Sequence, residues 1–98
     1  MTHDLRQEAL ELLDTTRRFP CDYDISVVAL NTEDVARAVR TAVESGLSAP
    51  LPDSAYTCHR SSAGRYASHR VTVPCRTAEE VMLLFERVRA VPGVVTVL

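Results

Sequence analysis

Four arginines and two histidines lie between residues 54 and 78: Arg60, Arg65, Arg70 and Arg76, with His59 and His69, and no Asp or Glu among them. Guanidinium and imidazole groups donate hydrogen bonds to oxyanions. The stretch therefore suits a carboxylate, a phosphate or an acidic protein surface. Thirteen acids sit outside it against seven arginines, so the chain is bipolar. An ordinary solvated hairpin is the competing reading, because arginine is commonly exposed. Serines and one glycine interleave with the charges. The candidate binding residues are Arg60, Ser61, Ser62, Gly64, Arg65, Tyr66, Ser68 and Arg70. The same residues have a structural use: Gly64 permits a tight turn, Ser61 and Ser62 bond its amides, and Tyr66 covers the hairpin's end.

Other chemistry is poorly supplied. No Ser-His-Asp or Cys-His arrangement can be assembled from spacing. Asp53 belongs to a loop and Glu79-Glu80 to a helix cap. No catalytic residue is assigned, and the expectation is a protein that is not an enzyme. Cys21, Cys58 and Cys75 are an odd number and read as small apolar thiols. A metal would have to recruit Cys58, His59, His69 and Cys75, yet no C-x-x-C or H-x-x-H pair brings two ligands together. Neither a metal nor a cofactor is expected.

The elements that must position these residues follow from periodicity. Residues 3–16 predict a helix capped by Thr2, with Asp4 in its first turn and Leu5, Ala9, Leu12 and Leu13 as an apolar stripe. Arg17 and Arg18 suit its negative end, and Phe19-Pro20 closes it. Residues 22–29 alternate, with Tyr23, Ile25 and Val27 on one face of a strand. Asn31 or Thr32 caps a second helix whose stripe is Val35, Val39, Ala42 and Val43. Gly46 is expected in a left-handed conformation past its end. Residues 47–54, with Pro50 and Pro52, form a loop.

A hairpin follows, with strands at 55–61 and 66–73 around Gly64. Ala67, His69, Val71 and Val73 share one face of its second strand, and Pro74 ends it. Thr77 to Glu80 reads as a capping box, with Glu80 reaching back to the cap. Val81, Leu84, Phe85 and Val88 make the third stripe. Pro92-Gly93 terminates that helix, and Val94–Leu98 is a β-branched terminal strand.

The order is a helix and then β-α-β-β-α-β. That is an α+β chain with a ferredoxin-like four-stranded antiparallel sheet, two helices on one face and an extra N-terminal helix. The expected sheet order is 4-1-3-2. Residues 1–18 form the helical extension and 19–98 the domain. The extension's stripe must cover this domain or another subunit. Ninety-eight residues with 46% hydrophobic and 24% charged side chains describe one globular domain. A net charge of −2 excludes a nucleic-acid binder driven by its overall field. Nothing reaches the ~20 apolar residues of a membrane helix. The N-terminus lacks the apolar core of a signal peptide. A cytoplasmic location without membrane contact is expected.

Two resemblances bear on function. Gly64-Arg65-Tyr66-Ala67 resembles the start of the RNA-recognition-motif signature on the equivalent strand, but Ser68, His69 and Arg70 depart from it. More extensively, Phe19-Pro20, then Ser61-Ser62-x-Gly64-x-Tyr66-x-Ser68, then the Val-Leu terminus resemble the YbeD-like family over residues 19–98. These are small bacterial proteins, widely classed as uncharacterised, with an ACT-like ferredoxin fold. This chain departs from that pattern in its long N-terminal helix and longer loop at 47–54. The resemblance implies a regulatory ancestry and carries over no catalytic residue.

The function expected is a non-enzymatic regulatory or adaptor module acting through protein–protein contacts, with an unidentified protein partner or a second copy in a homodimer. The alternative is a sensor that holds an amino acid or other small anionic metabolite at a dimer interface. Single-stranded RNA binding ranks below both.

Overall fold

A computed structural model describes residues 5–16 and 18–98, with the backbone alone for 13–16. The elements are α1 (Leu5–Thr16), β1 (Cys21–Leu30), α2 (Glu33–Glu44), a 3-10 turn (Asp53–Ala55), β2 (Tyr56–Arg60), β3 (Tyr66–Cys75), α3 (Ala78–Arg89) and β4 (Val94–Val97). The expected cap Thr2, Asp4, the side chain of Leu13, and Arg17 lie outside the described residues. The four strands form one antiparallel sheet in the order β2-β3-β1-β4. Read from the other edge, this is the 4-1-3-2 order expected.

Alternation decides which side of the sheet is covered. Ile25, Val27 and Ala29 of β1 are wholly buried, as is Val71 of β3, with Ala67, Val73 and Cys75 close behind. Val39 and Val43 of α2 join them, as do Val81, Leu84 and Val88 of α3 and Val97 of β4, in one core cluster. Both helices thus lie on one face of the sheet. Full burial of each such aliphatic side chain contributes about 1.5–3 kcal/mol, so the helix side holds the stability.

The helix starts use the hydroxyls expected. Thr32 Oγ1 accepts from the Val35 N–H at 3.2 Å, and Thr77 Oγ1 from the Glu80 N–H at 3.2 Å. Glu80, however, reaches one residue further back than the cap. Its carboxylate accepts from the Arg76 N–H at 2.6 Å and from Arg76 Nε at 3.1 Å. There it meets an amide and a cation together, a charge-assisted pair that Thr77 does not offer.

Three further expectations change. Gly46 is not left-handed; the positive-φ glycines are Gly64 (75°) and Gly93 (95°). The Arg87 side chain crosses Gly46 instead: a Cβ there would stand 2.5 Å from the Arg87 guanidinium, which would have to shift while its Nε donates to the Ala42 carbonyl at 3.2 Å. Pro74 does not end β3, which runs on to Cys75 opposite Cys21. The donor missing at Pro74 faces away from β1, toward the side where β2 has already ended opposite Val71. No ladder bond is lost there.

Finally, the α1 stripe is not buried as a stripe, for Leu5 is 76% and Leu12 64% exposed. The helix lies against α3 of its own chain. Arg6 pairs with Glu86, and Ala9 and Leu12 border a groove shared with Tyr23, Val81, Met82 and Phe85.

Candidate functional site

The face of the sheet without helices carries the residues that alternate with the core. Register then makes neighbours of polar groups far apart in the chain. Ser26 of β1 stands opposite Arg70 of β3, and Arg70 opposite Thr57 of β2. One step along, Ser68 stands opposite His59. These five side chains frame a hollow of about 170 Å³. No acid lines it, and Asp24, one position along the face, accepts from Thr72 Oγ1 at 2.6 Å.

The eight candidate residues divide between four places. Ser61 and Gly64 build the turn. Ser61 N–H donates to the Tyr66 carbonyl at 2.8 Å, Tyr66 N–H donates to Ser61 Oγ at 3.1 Å, and Gly64 N–H donates to the Ser61 carbonyl at 2.9 Å. Ser62 and Arg65 are exposed at the tip, the Arg65 guanidinium 5.6 Å from the centre of the half-buried Tyr66 ring. Ser68 and Arg70 reach the open-face hollow. Arg60 pairs with the buried Ala67 and so belongs to the helix side. Arg76, the fourth arginine of the basic stretch, is ion-paired with Glu80 at 3.1 Å.

The sequence reading names neither Ser26 nor Thr57, and it names His59 only within the basic stretch and the metal set. Their phase within the strands puts them outward, but only the pairing places them around Arg70. Asn31 is a second such case. Its N–H donates to the Arg65 carbonyl at 3.0 Å and its Nδ2 to the Gly64 carbonyl at 2.9 Å. It therefore fastens the hairpin tip to the β1–α2 turn, leaving the cap to Thr32.

A second polar cluster ties the 47–55 loop to α2. Arg40 Nη2 donates to Asp53 Oδ1 at 2.7 Å, and Tyr56 OH donates to Glu44 Oε2 at 2.8 Å. That carboxylate also accepts from the Leu51 N–H at 3.0 Å. The Arg40 guanidinium lies 4.3 Å from the centre of the Tyr56 ring. The Tyr56 hydrogen bond, foremost, holds Glu44 below the usual carboxylate range. Burial, then Glu44, pushes the Tyr56 phenol up. Every group here is answered by another, so the cluster reads as a fastening.

The four side chains considered for a metal point to different places. Cys58 and His69 are opposed on the helix side, His59 is on the open face, and Cys75 is buried at the far end of β3. Among the described residues no three His, Cys, Asp or Glu side chains gather to hold an ion. Burial pushes the Cys75 thiol up to about 11, so it is not a nucleophile at neutral pH.

A family model for proteins of unknown function, DUF493, matches residues 14–98. The chain belongs to the DUF493 family. DUF493 is the YbeD-like family that the Ser-Ser-x-Gly-x-Tyr-x-Ser stretch resembles. The DUF493 match takes in every strand, α2 and α3, and the open-face hollow; it begins inside α1. No curated protein matches the chain.

Proposed function

We propose that this DUF493 chain is a ferredoxin-like, ACT-like regulatory or adaptor module of the cytoplasm. It acts through protein–protein contacts and is not an enzyme. The observation that carries this reading is the outer edge of β2. Ser61 N–H faces β3, so by alternation the N–H and C=O groups of Cys58 and Arg60 face outward. No strand among the described residues covers them. Such an edge is a template for another strand, and proteins either blunt it or use it.

A second copy is the partner that fits most simply. Two β2 strands paired antiparallel about Cys58 would set Arg60 of each copy opposite Tyr56 of the other. Asp53, whose side chain stays 93% exposed with Arg40 on one of its oxygens, lies three residues before that tyrosine. The contact is isologous and its charges complement each other twice. RNA binding finds less support, because Tyr66 is the single aromatic ring that alternation puts on the open face, where stacking platforms use about two or three.

Light scattering across a concentration series tests the reading, with Cys58→Pro as the variant. Proline there removes an outward N–H and spares the β2–β3 ladder. The expectation is a dimer for the wild type and a monomer with an unchanged circular dichroism spectrum for the variant. A wild type that stays monomeric at high concentration, or a variant that dimerises equally well, overturns it.

A further inference from the structure

We propose that the open sheet face binds a phosphate group in the hollow framed by Ser26, Thr57, His59, Ser68 and Arg70. These residues come from three strands and meet only through register. All five bear hydrogen-bond donors: three hydroxyls, an imidazole and a guanidinium fork. None of the five side chains has a hydrogen-bond or ion-pair partner among the described residues. Elsewhere on the molecule the polar clusters are self-satisfied: Arg40 is held by Asp53 and Glu44, Arg76 by Glu80, Arg6 by Glu86 and Thr72 by Asp24. This hollow alone among those clusters gathers donors whose hydrogen bonds no described group receives.

The number of donors selects the anion. A carboxylate offers only two accepting oxygens. A phosphate group offers three strongly accepting oxygens and a charge near −2. Five side chains, one of them a fork, are better matched to the phosphate. Size selects what carries it. The hollow, at about 170 Å³, is smaller than the roughly 300 Å³ at which pockets begin to enclose whole drug-sized ligands. It seats the phosphate group and leaves the rest of any ester in solvent. Inorganic phosphate and a small phosphate monoester present the same group and differ only in what trails from it.

Titrating the ¹⁵N-labelled full-length chain with inorganic phosphate, glycerol phosphate and acetate at constant ionic strength tests the site by NMR. Saturable shifts are expected at Ser26, Thr57, His59, Ser68 and Arg70, with acetate weaker by about tenfold, the factor one charge-assisted hydrogen bond carries. Tighter binding of glycerol phosphate assigns the site to esters, and tighter binding of inorganic phosphate to the free ion; either supports it. Arg70→Gln should weaken binding by at least about tenfold. Ser68→Ala should weaken it less, and Arg65→Gln at the hairpin tip should leave it unchanged. Shifts that do not saturate, that spread equally to Arg60 and Arg65, or that survive Arg70→Gln overturn the proposal. The site needs no second copy, so it stands or falls separately from the β2-edge contact.

Discussion

On the helix side of the sheet, Ile25, Val27, Ala29 and Val71 are sealed from solvent beneath α2 and α3. On the other side, the residues between and beside them, Ser26, Ser68 and Arg70 among them, have no helix over them. Each strand contributes to both faces, so one short sequence carries two unrelated sets of requirements at a spacing of two. The covered face is chosen for volume and apolarity, and substitution there disturbs packing. The open face carries groups, Ser26, Ser68 and Arg70 among them, that no described partner holds. A small domain can therefore change what it binds without changing what holds it together, because the two sets of side chains leave the sheet on opposite sides.

The sharpest contrast comes from Leu84, one of the largest fully buried side chains. Leu84→Ala should cost about 2–5 kcal/mol in urea unfolding, as cavity-forming substitutions do. A cost below 1 kcal/mol would show that the helix side is not the stabilising face.

His69 tests a flaw on the covered side. Its Nε2 is buried without a partner, and burial lowers its pKa below the ordinary 6.5. The folded state thus favours the neutral ring, while the unfolded chain takes up a proton as pH falls through that ordinary value. The stability tied to His69 is whole above pH 6.5 and is lost as the pH drops through the folded pKa. His69→Leu should remove this part of the acid loss, and it also relieves an orphaned nitrogen of the kind that costs about 1–3 kcal/mol. Unfolding curves at neutral and mildly acidic pH read the difference. An unchanged pH dependence would mean that the ring is solvated in both states.

The smallest effect belongs to the open face. Arg70→Gln should leave unfolding within about 0.5 kcal/mol of the wild type, as surface changes usually do. A loss of more than 1 kcal/mol would make Arg70 part of the scaffold and blur the division between the faces.

Much of this architecture is legible in the residues. The alternation in 21–30 and 66–75, the stripes of α2 and α3, and the caps Thr32 and Thr77 all act within one element, over one or two turns or along one strand. They are therefore visible as spacing. The positions at which the structure departs from this spacing act between elements. Gly46 is crossed by Arg87 of another helix, Glu80 caps through Arg76, and Pro74 survives in a strand because β2 has stopped. The α1 stripe resembles the others, yet Leu5 and Leu12 stay largely exposed, and periodicity does not say what a stripe faces.

The candidate site divides in the same way. Local chemistry marked Ser61 and Gly64 as turn residues, and they form the turn. The basic stretch promised one patch, but alternation sends Arg60 to one face and Arg70 to the other, while Glu80 neutralises Arg76. From the sequence alone come the elements, their order and the face each residue takes, because backbone periodicity and caps are set by near neighbours. The meeting of Ser26, Thr57 and Arg70 belongs to the tertiary structure, because register is decided by how the whole core packs and not by any segment read singly.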